Sequence, residues 1–452
     1  MSSNSLAAER RVVITGVGLV SPLGLTVGSC AAALAEGRSG VRRRPDTDQA
    51  PTVGGFAADF SGAIDDFGEL ESGRKKAIRK GLKLMCRETQ MAVAAAQHAL
   101  ADAGDTAGLD PERVGVVLGS DYMLTLPDDY VDAIRKCLDE GEFAYARWGD
   151  EGLDQMQPLW MLKYLPNMPA SHIAIYNDLR GPNNSLTLRE AGGLAAVGEA
   201  ARIIARGDAE LMIAGATGTR VLPLQAVHAL QEAERGMAVQ RGDTDDDPAT
   251  LSRPFEASRQ GMVCGEGAGM VVLESLESAA QRGARVYGEL AGFGSSTVAM
   301  RRGESIAGDN QRAIARAAAA ALTDAGLAAE ELGHVNADGL GAPTPDRQEA
   351  AALRAVLGNR ADQAPVVALK SYFGNLGAGS GVVELIGSLL AFDPSGPLEG
   401  ALPRTLNHDQ TDPECPIRVV AERGVPAGDS FLAVNATPQG QAVAVCVRRH
   451  GG

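Results

Sequence analysis

The fold class is first indicated by Val12-Val13-Ile14-Thr15-Gly16-Val17-Gly18, which follows Arg10-Arg11 and precedes Ser21-Pro22-Leu23-Gly24. Its β-branched run stops at a glycine, a pattern typical of a buried parallel strand. The run Tyr287-Gly288-Glu289-Leu290-Ala291-Gly292-Phe293-Gly294 echoes this stretch later in the chain. The recurrence indicates an internal duplication.

Both parts of the chain show the same alternation of strands and helices. The predicted strands cover residues 12–16, 114–120, 185–188, 209–214, 270–274, 287–294, 334–337 and 366–369. The predicted helices cover residues 28–36, 74–103, 192–206 and 308–326 and a segment from about 378, and a hairpin is predicted at 430–448. An irregular insertion is predicted at about 122–168. This order predicts an α/β protein of two halves with an active cleft between them.

Composition limits the class of protein. Of the 452 residues, 45% are hydrophobic and 22% are charged, which is the balance of a well-packed globular chain. The formal net charge of −15 argues against a general binder of nucleic acid or of anionic membranes.

The cysteines and the first residues indicate the cellular compartment in which the protein is expected. The six cysteines are scattered without close pairs, which argues against a disulfide framework or a zinc cluster and favours a reducing compartment. Residues 1–11 lack the apolar core of a signal peptide, and no apolar run reaches the roughly 18 residues needed to cross a bilayer. We therefore expect a soluble, cytoplasmic protein without a metal.

Further motifs follow the opening stretch in the order of one known family. They are Pro166-Asn167-Met168, Gly181-Pro182-Asn183, Gly198-Glu199-Ala200, Arg206-Gly207-Asp208-Ala209, Ile213-Ala214-Gly215, Arg253-Pro254-Phe255, Gly265-Glu266-Gly267-Ala268-Gly269, Pro343, Asp346, Glu349, Lys370-Ser371 and Gly374. From about residue 10 to 448, the chain resembles a β-ketoacyl-acyl-carrier-protein synthase. The resemblance implies a thiolase fold with duplicated βαβαβαββ halves in a five-layered α/β/α/β/α architecture. The halves would span 10–275, with the insertion at about 122–168, and 285–448.

The resemblance also marks three positions at which this chain departs from the family. Family members condense an acyl thioester with malonyl-acyl carrier protein, using a thiolate at a helix N-terminus and two histidines. The cysteine position holds Glu190, and the histidine positions hold Asp338 and Asn375. Ordinary condensation through this site is therefore not expected. Lys370 and Glu349 are retained, either as catalytic groups or as a structural ion pair.

Two substrate-binding features of the family are altered as well. The threonines that bind pantetheine correspond to Leu340 and Ala342, which cannot donate those hydrogen bonds. The Gly-rich gating loop corresponds to Phe431-Leu432-Ala433-Val434-Asn435, with Ala433 in place of a bulky gatekeeper. Because the hinge glycines are missing, we expect a stiffer loop.

A basic segment is the family feature that survives. It consists of Arg74, Lys75, Lys76, Arg79, Lys80 and Lys83, with no acidic residue among them. Lys75, Arg79 and Lys83 are four residues apart, on one face of the predicted helix. Active relatives dock the acidic carrier protein on a basic helix at this position. On a chain of net charge −15, we favour carrier docking over a merely solvated helix face.

Two interpretations of Glu190 are open. A carboxylate at a helix N-terminus gains about 0.3–1 kcal/mol from the helix dipole, so Glu190 can be a cap that keeps the turn folded. Alternatively, Glu190 is a general base or a carboxylate mimic that faces a tunnel.

The closest functional analogy is the chain-length-factor subunit of aromatic polyketide systems, which has also lost the cysteine and pairs with an active ketosynthase. It predicts a non-condensing partner in fatty-acid or polyketide assembly that binds acyl chains or acyl carrier protein. The only cofactor implied is the phosphopantetheine that the carrier brings. A homodimer, or a heterodimer with an active ketosynthase, would form through the strand near 185–188.

Two other functions remain open at this point. One is a remodelled enzyme that acts on acyl-carrier-protein substrates, with Glu190 and Asp338 as acid and base. The other is a non-catalytic, acyl-binding homodimer.

Overall fold

The structure is a computed structural model that describes residues 10–44, 51–106, 108–234, 238–240, 245–299 and 310–451. The strands are β1 (Val12–Val20), β2 (Val41–Arg43), β3 (Val53–Gly55), β4 (Val114–Ser120), β5 (Leu138–Asp139), β6 (Glu142–Phe143), β7 (Asn183–Thr187), β8 (Leu211–Thr219), β9 (Glu266–Ser275), β10 (Gly288–Thr297), β11 (His334–Asn336), β12 (Val366–Val367), β13 (Ser430–Ala436) and β14 (Gln441–Arg448). The α-helices are α1 (Val27–Glu36), α2 (Ser72–Gly81), α3 (Arg87–Ala103), α4 (Val131–Lys136), α5 (Met168–Asn177), α6 (Gly192–Ala205), α7 (Pro223–Glu234), α8 (Leu276–Gln281), α9 (Asn310–Ala325), α10 (Pro343–Leu357), α11 (Lys370–Phe373) and α12 (Ser380–Leu390).

The main sheet has the strand order β12-β11-β13-β14-β10-β1-β9-β8-β4-β7. From its middle to one edge, β1–β9 and β9–β8 pair antiparallel, whereas β8–β4 and β4–β7 pair parallel. Toward the other edge, β10–β14 and β14–β13 pair antiparallel, whereas β13–β11 and β11–β12 pair parallel. The same order and directions are thus built twice, and the two copies meet where β1 pairs with β10.

Helices cover these strands in layers. Helix α6 contacts β4 and β8 on one side and β14 on the other, and α12 contacts both β9 and β13. These two helices therefore lie between the two copies of the strand motif. Helix α3 packs on β1 and β9, and α9 packs on β10 and β14 beside α10. The resulting order of five layers is the one that the sequence predicts.

The direction of β1 differs from the sequence prediction. β1 pairs antiparallel with both of its neighbours, so the expectation of a parallel strand is wrong. All of its residues are buried, because α3 and the central α6 both pack against it. Its unbroken apolar run reflects burial on two faces, a property that parallel strands share, and not the direction of the strand.

Glycines bring the outer helices unusually close to β1 and β10. A Cβ atom on Gly18 would lie 2.2 Å from the carbonyl oxygen of Ala95 in α3. A Cβ atom on Gly294 would lie 2.1 Å from the carbonyl oxygen of Ala317 in α9. The same helix–strand contact is therefore made twice, which explains why the glycine pattern of the opening stretch recurs.

Residues 74–103 do not form the single helix that was predicted. Helix α2 ends at Gly81, Leu82–Leu84 form a 3-10 turn, and Cys86 has an extended backbone before α3 begins. A straight helix over this segment would extend about 45 Å. The break instead allows Ile78 of α2 and the alanine-rich face of α3 to pack in the same core cluster.

Most of the other predicted elements are present, but helices α5, α7, α8 and α10 were not predicted. The insertion at 122–168 contains α4, the β5–β6 hairpin and several 3-10 turns. The strand predicted at 185–188 is β7 and is displaced by one or two residues, and the helix predicted at 308–326 is α9. Its first two predicted positions, 308 and 309, lie outside the described residues. Over the described ranges, no helix combines the length and apolarity required to cross a membrane.

Replacing Gly18 with Ala should destabilise the protein by at least about 2 kcal/mol, because the added methyl group collides with helix backbone rather than with a movable side chain. Gly149→Ala is the matched control, since a Cβ there meets no heavy atom within 4 Å. Urea unfolding measures the free energy of unfolding of both variants. Equal unfolding midpoints for the two variants would contradict the close packing described here.

Candidate functional site

The predicted site lies at the N-terminal ends of the two central helices. Glu190 belongs to a 3-10 turn immediately before α6, and Asn375 lies just before α12. Asp338 follows β11, and Lys370 opens α11. Helix N-termini carry free N–H groups and partial positive charge, so this region favours anionic side chains.

Glu190 is bound by two arginines. Its side chain is 3% exposed, and its Oε1 accepts a hydrogen bond from Arg220 Nη2. Arg189 Nε lies 3.5 Å from the other oxygen, Oε2. Asp121 Oδ2 lies 3.8 Å from Arg189 Nε and 3.9 Å from Arg220 Nη2. Glu190, Arg189, Arg220 and Asp121 thus form one group of charges, which we call the arginine cluster.

The arginine cluster determines the protonation of Glu190. Burial alone would raise the pKa of Glu190, but the charges of Arg220 and Arg189 outweigh it and lower the pKa to about 2. A carboxylate with such a low pKa has little affinity for a proton at neutral pH, so it is a poor general base.

Nor does Glu190 cap α6. The N-cap residue is Ala191 and makes no side-chain hydrogen bond, while the Glu190 carboxylate bonds to the side chains of Arg220 and Asn375. The cap interpretation is wrong, because guanidinium groups provide stronger partners for a buried carboxylate than the helix backbone does.

Asn375 connects Glu190 to the start of α12. Its Nδ2 lies 3.3 Å from Glu190 Oε1 and 2.9 Å from Met262 Sδ. Its Oδ1 accepts hydrogen bonds from Gly377 N at 2.9 Å and from Ser380 Oγ at 3.2 Å. Both ends of the amide are therefore engaged, which holds the side chain in one orientation.

Asp338 belongs to a second group of charges, the Lys370 cluster of Lys370, Asp338, Glu384 and Asn435. Lys370 Nζ donates to Asp338 Oδ1 at 2.7 Å and to Glu384 Oε1 at 2.6 Å. Asn435 Nδ2 donates to the same two carboxylates at 2.9 and 3.0 Å. Burial would lower the pKa of Lys370, but Asp338 and Glu384 more than compensate and raise it. The buried ammonium therefore stays charged.

Glu349 lies beside this cluster but has a different role from the one expected. Its two carboxylate oxygens accept hydrogen bonds from the backbone N–H groups of Asp338 at 2.7 Å and Gly339 at 2.8 Å. Burial, together with the charge of Asp338, raises the pKa of Glu349 to about 8. Among the described residues no ion pair joins Glu349 to Lys370, so the suggested ion pair between them is wrong. Lys370 pairs with Asp338 and Glu384 instead.

The two candidate acid/base carboxylates lie in separate clusters. Within the described ranges, no hydrogen bond or ion pair connects Glu190 to Asp338, and each pairs with a different cation. A catalytic pair of carboxyl groups needs pKa values that diverge around one substrate. Because the pKa of Glu190 is lowered to about 2, Glu190 holds no proton at neutral pH and accepts one only weakly, which argues against an enzyme in which Glu190 and Asp338 share acid and base roles.

Leu340 and Ala342 lie in an apolar cluster. Both are buried and pack in the same group as Met262 and Cys264. Met262 also contacts Asn375 Nδ2, so this apolar cluster covers one side of the site. These hydrocarbon and sulfur groups provide no strong hydrogen-bond donor for a ligand.

Phe431 and Ala433 lie in a strand, so the prediction that this segment forms a gating loop is wrong. Both are buried residues of β13, which pairs with β11 on one side and β14 on the other. The ring of Phe431 stacks on His334 with centroids 5.1 Å apart. Leu432 and Val434 pack on the opposite face of the strand, in another core cluster. Apolar side chains on both faces hold this segment as an interior strand, so it cannot act as a hinge.

The basic segment lies on the surface, as predicted, but only part of it belongs to the predicted helix. Lys76, Arg79 and Lys80 are exposed on α2, and Arg74 and Lys75 are partly buried. Lys83 is exposed but lies in the 3-10 turn after α2, beyond the helix that was expected to carry it. The fully buried Ile78 anchors α2 to the core. Lys75 also pairs with Asp65 at 2.9 Å.

Several residues of the site were not singled out from the sequence. They are Arg189, Arg220, Asp121, Met262, Glu384 and Asn435. Arg189 could have been found, because an arginine next to the glutamate at the nucleophile position suggests an ion pair. The others come from distant segments, and only folding brings them together.

The six cysteines are all buried and form no disulfide. In the part of the chain that the structure describes, no group of His, Cys, Asp or Glu residues is arranged to hold a metal ion.

Comparisons with known proteins agree with the sequence resemblance. Residues 9–279 match the family described as "Beta-ketoacyl synthase, N-terminal domain", and residues 287–409 match "Beta-ketoacyl synthase, C-terminal domain". A curated relative, the 3-oxoacyl-[acyl-carrier-protein] synthase 2 of Synechocystis sp., is 32% identical over 418 residues, which are 91% of each chain.

Two solved structures share the fold over nearly the whole chain. The ishigamide ketosynthase/chain length factor has a TM-score of 0.78 at 29% identity and covers 98% of this chain and 100% of that chain. A type II polyketide synthase acyl-carrier protein in complex with its ketosynthase has a TM-score of 0.76 at 25% identity, with the same coverage of 98% and 100%. The predicted thiolase-type ketosynthase fold is confirmed.

Replacing Glu190 with Gln should destabilise the protein by about 3 kcal/mol at neutral pH, because lowering the pKa of Glu190 from 4.5 to about 2 corresponds to that energy. This stabilisation is present above pH 4.5 and is lost as the pH falls toward about 2. The difference between wild type and variant should therefore narrow below pH 4.5. Urea unfolding at several pH values measures this difference in the free energy of unfolding. Glu69→Gln, at an exposed position, is the control variant. A difference that does not depend on pH would contradict the ion-pair assignment.

Proposed function

Because the chain belongs to the β-ketoacyl synthase family, we propose that it is a non-condensing, ketosynthase-like partner in fatty-acid or polyketide biosynthesis, comparable to a chain-length factor. The observation that carries this proposal is the arginine cluster. A carboxylate held by Arg220 and Arg189 occupies the position at which the family needs a nucleophilic thiolate. An ionised carboxylate of low pKa is a weak nucleophile and cannot replace a thiolate in acyl transfer.

The rest of the site supports the same proposal. Condensation requires groups that stabilise a developing enolate or oxyanion, a task for hydrogen-bond donors and cations. Asp338 carries a negative charge instead, and its carboxylate accepts a hydrogen bond from the ammonium group of Lys370. Among the described residues, no histidine hydrogen-bonds to Glu190, Asp338 or Asn375. Cys264 lies near Asn375 through a backbone bridge, but its side chain packs in the apolar cluster.

A partner subunit is part of this proposal. Strand β7 lies at the edge of the sheet and pairs only with β4 in the described structure. Its Asn183, Asn184 and Thr187 are exposed. An unpaired edge strand can add a strand from another subunit. The structural neighbour described as a ketosynthase/chain length factor supports a heterodimer with an active ketosynthase, and a homodimer is the other arrangement.

Light scattering of the chain alone, and mixed with candidate ketosynthases, should show a dimer in at least one case. The expectation follows from the exposed edge of β7, and Thr187→Pro, which removes an N–H donor from that strand, should weaken the dimer. A stable monomer under all of these conditions would contradict the partner proposal.

We further propose that α2 docks an acyl carrier protein. Its exposed basic side chains have the charge that an acidic carrier requires, and the neighbour that contains a carrier protein bound to its ketosynthase supports this assignment. The carrier would bring its own phosphopantetheine, so the chain would need no cofactor of its own. An acyl-carrier system of this kind, with reduced cysteines, would operate in the cytoplasm.

Reversing the charge of Lys76 and Lys80 to Glu should weaken carrier binding roughly tenfold, because both side chains are exposed on the proposed docking face. The double variant Arg135→Glu with Lys136→Glu, whose side chains are also exposed but lie on α4, is the control with the same change of charge. Surface plasmon resonance with holo-carrier protein at low and high salt measures the effect. Equal losses for the two sites would rule out specific docking on α2.

Purified protein should neither become acylated by acyl-carrier protein nor condense malonyl-carrier protein. Glu190→Cys alone should not restore condensation, because Asp338 and Asn375 still replace two imidazoles. Intact-protein mass spectrometry follows acylation, and a radiolabelled malonyl assay follows condensation. Condensation by the unmodified protein, freed of contaminating ketosynthase, would overturn the proposed function.

A further inference from the structure

We propose that a cavity between α3 and α5 binds a small neutral ligand that carries a primary carboxamide on a short, branched apolar body. The cavity has a volume of about 420 Å³, and its lining comes from α2, α3, α5 and the segment that connects α3 to β4. None of the described residues that line it belongs to the arginine cluster or to the Lys370 cluster. The inference goes beyond the proposed function and does not rest on it.

The walls of the cavity are largely hydrocarbon. On α3, Gln97, Leu100 and Ala101 line it, and their spacing places them on one side of the helix. Four leucines line the cavity and also pack against the core cluster beneath it: Leu70, Leu100, Leu109 and Leu179. Water gains little from such walls, so an apolar ligand body that displaces it binds favourably.

Gln97 brings a primary amide to this cavity without a partner from the chain. The residue is only 4% exposed. Among the described residues its side chain makes no hydrogen bond, and its Nε2 in particular is buried without a partner. Leaving a buried amide unsatisfied is costly, so such groups are nearly always bonded to the chain, to water or to a ligand. Gln97 therefore offers a ligand both a donor and an acceptor.

Asn177, at the end of α5, adds a second acceptor to the same cavity. Its Nδ2 donates to the carbonyl oxygen of Ile173 at 2.9 Å, whereas its Oδ1 is buried and has no partner in the described structure. A primary carboxamide has two N–H donors and one carbonyl acceptor. It can donate to Gln97 and to Asn177 while it accepts from Gln97, so it matches what the two side chains leave open.

The charged residues of the lining favour a neutral ligand. Three of them are acidic and one is basic: Glu69, Asp105, Asp178 and Arg74. An anionic ligand would meet this acidic excess unfavourably. A cationic ligand would place its charge beside the neutral amides and the leucines, where burial of a charge is costly. Asp178 is also engaged already, since its carboxylate pairs with Arg180 at 2.9 Å.

Saturation-transfer difference NMR on the full chain tests the proposal, with N-acetyl-leucinamide as the probe. This probe is neutral and joins a primary carboxamide to a branched hydrocarbon. We expect saturation transfer to its methyl groups and a dissociation constant in roughly the millimolar range. N-acetylleucine has nearly the same shape with a carboxylate in place of the carboxamide, and it should bind at least about fivefold more weakly.

Variants of α3 assign the binding to the cavity. Gln97→Leu should weaken binding of the probe at least about fivefold, because it removes both hydrogen bonds of the amide. Its melting temperature should be no lower than that of wild type, since the lost amide has no partner in the described chain. Ala101→Trp, at an exposed position of the same wall, should block the cavity and abolish binding without lowering the melting temperature.

Gln90→Leu is the matched control on the same helix. Gln90 lies outside the lining of the cavity, and its Nε2 donates to the carbonyl oxygen of Met85 at 3.3 Å. The variant should therefore melt at a lower temperature than wild type and still bind the probe with unchanged affinity.

Three results would overturn the proposal: no saturation transfer with wild type, equal binding of the probe by Gln97→Leu, or equal binding of N-acetylleucine by wild type. Each would mean that water alone satisfies Gln97 or that the carboxamide is not recognised. If Gln97→Leu does not fold, Ala101→Trp decides, and unchanged binding by that variant contradicts the assignment to this cavity. All of these results leave the proposed non-condensing function intact, because acylation and condensation assays test it separately.

Discussion

The close approach of helix backbone to glycine in β1 and β10 is the contact on which the layered structure depends. Gly18 and Gly294 have no Cβ, so the backbone carbonyl groups of Ala95 and Ala317 can lie where a side chain would otherwise stand. This contact brings the outer helices onto the strands while the central helices cover the opposite faces. Because both faces of the strands are then buried, their sequences are apolar throughout. The N-termini of α6 and α12 meet in the centre of this arrangement, and the candidate site is located there.

Buried charge is the second constraint, and it governs the chemistry of the site. An ammonium or guanidinium group that is removed from water must be matched by carboxylates and hydrogen-bond acceptors. Lys370 is matched by Asp338 and Glu384, and Arg220 is matched by Glu190. Glu190 and Asp338, which stand at two of the family's reactive positions, are therefore engaged as counter-ions. The proposed non-condensing function is a consequence of this arrangement.

Local sequence could identify the positions of the site but not the partners of its residues. The positions of Glu190, Asp338 and Asn375 follow from the motifs around them, and the duplication follows from the repeated glycine pattern. Of the two interpretations of Glu190 that the sequence leaves open, the cap is wrong, because Glu190 pairs with Arg220, which lies 30 residues further along the chain. The expected gating loop was also wrong, because neighbouring strands on both sides of β13 convert that segment into sheet.

The fold class, the internal repeat, the family and the identity of the residues at the reactive positions can all be inferred from the sequence. These properties depend on patterns of apolar residues and glycine along the chain, which are local or periodic. In contrast, the packing of distant segments places Glu190 and Asp338 in two separate clusters, each with its own cation, and makes Phe431 part of the core. The physical reason is that the charge state and the partners of a buried group depend on which distant segments surround it. Those distances are set when the layers pack together.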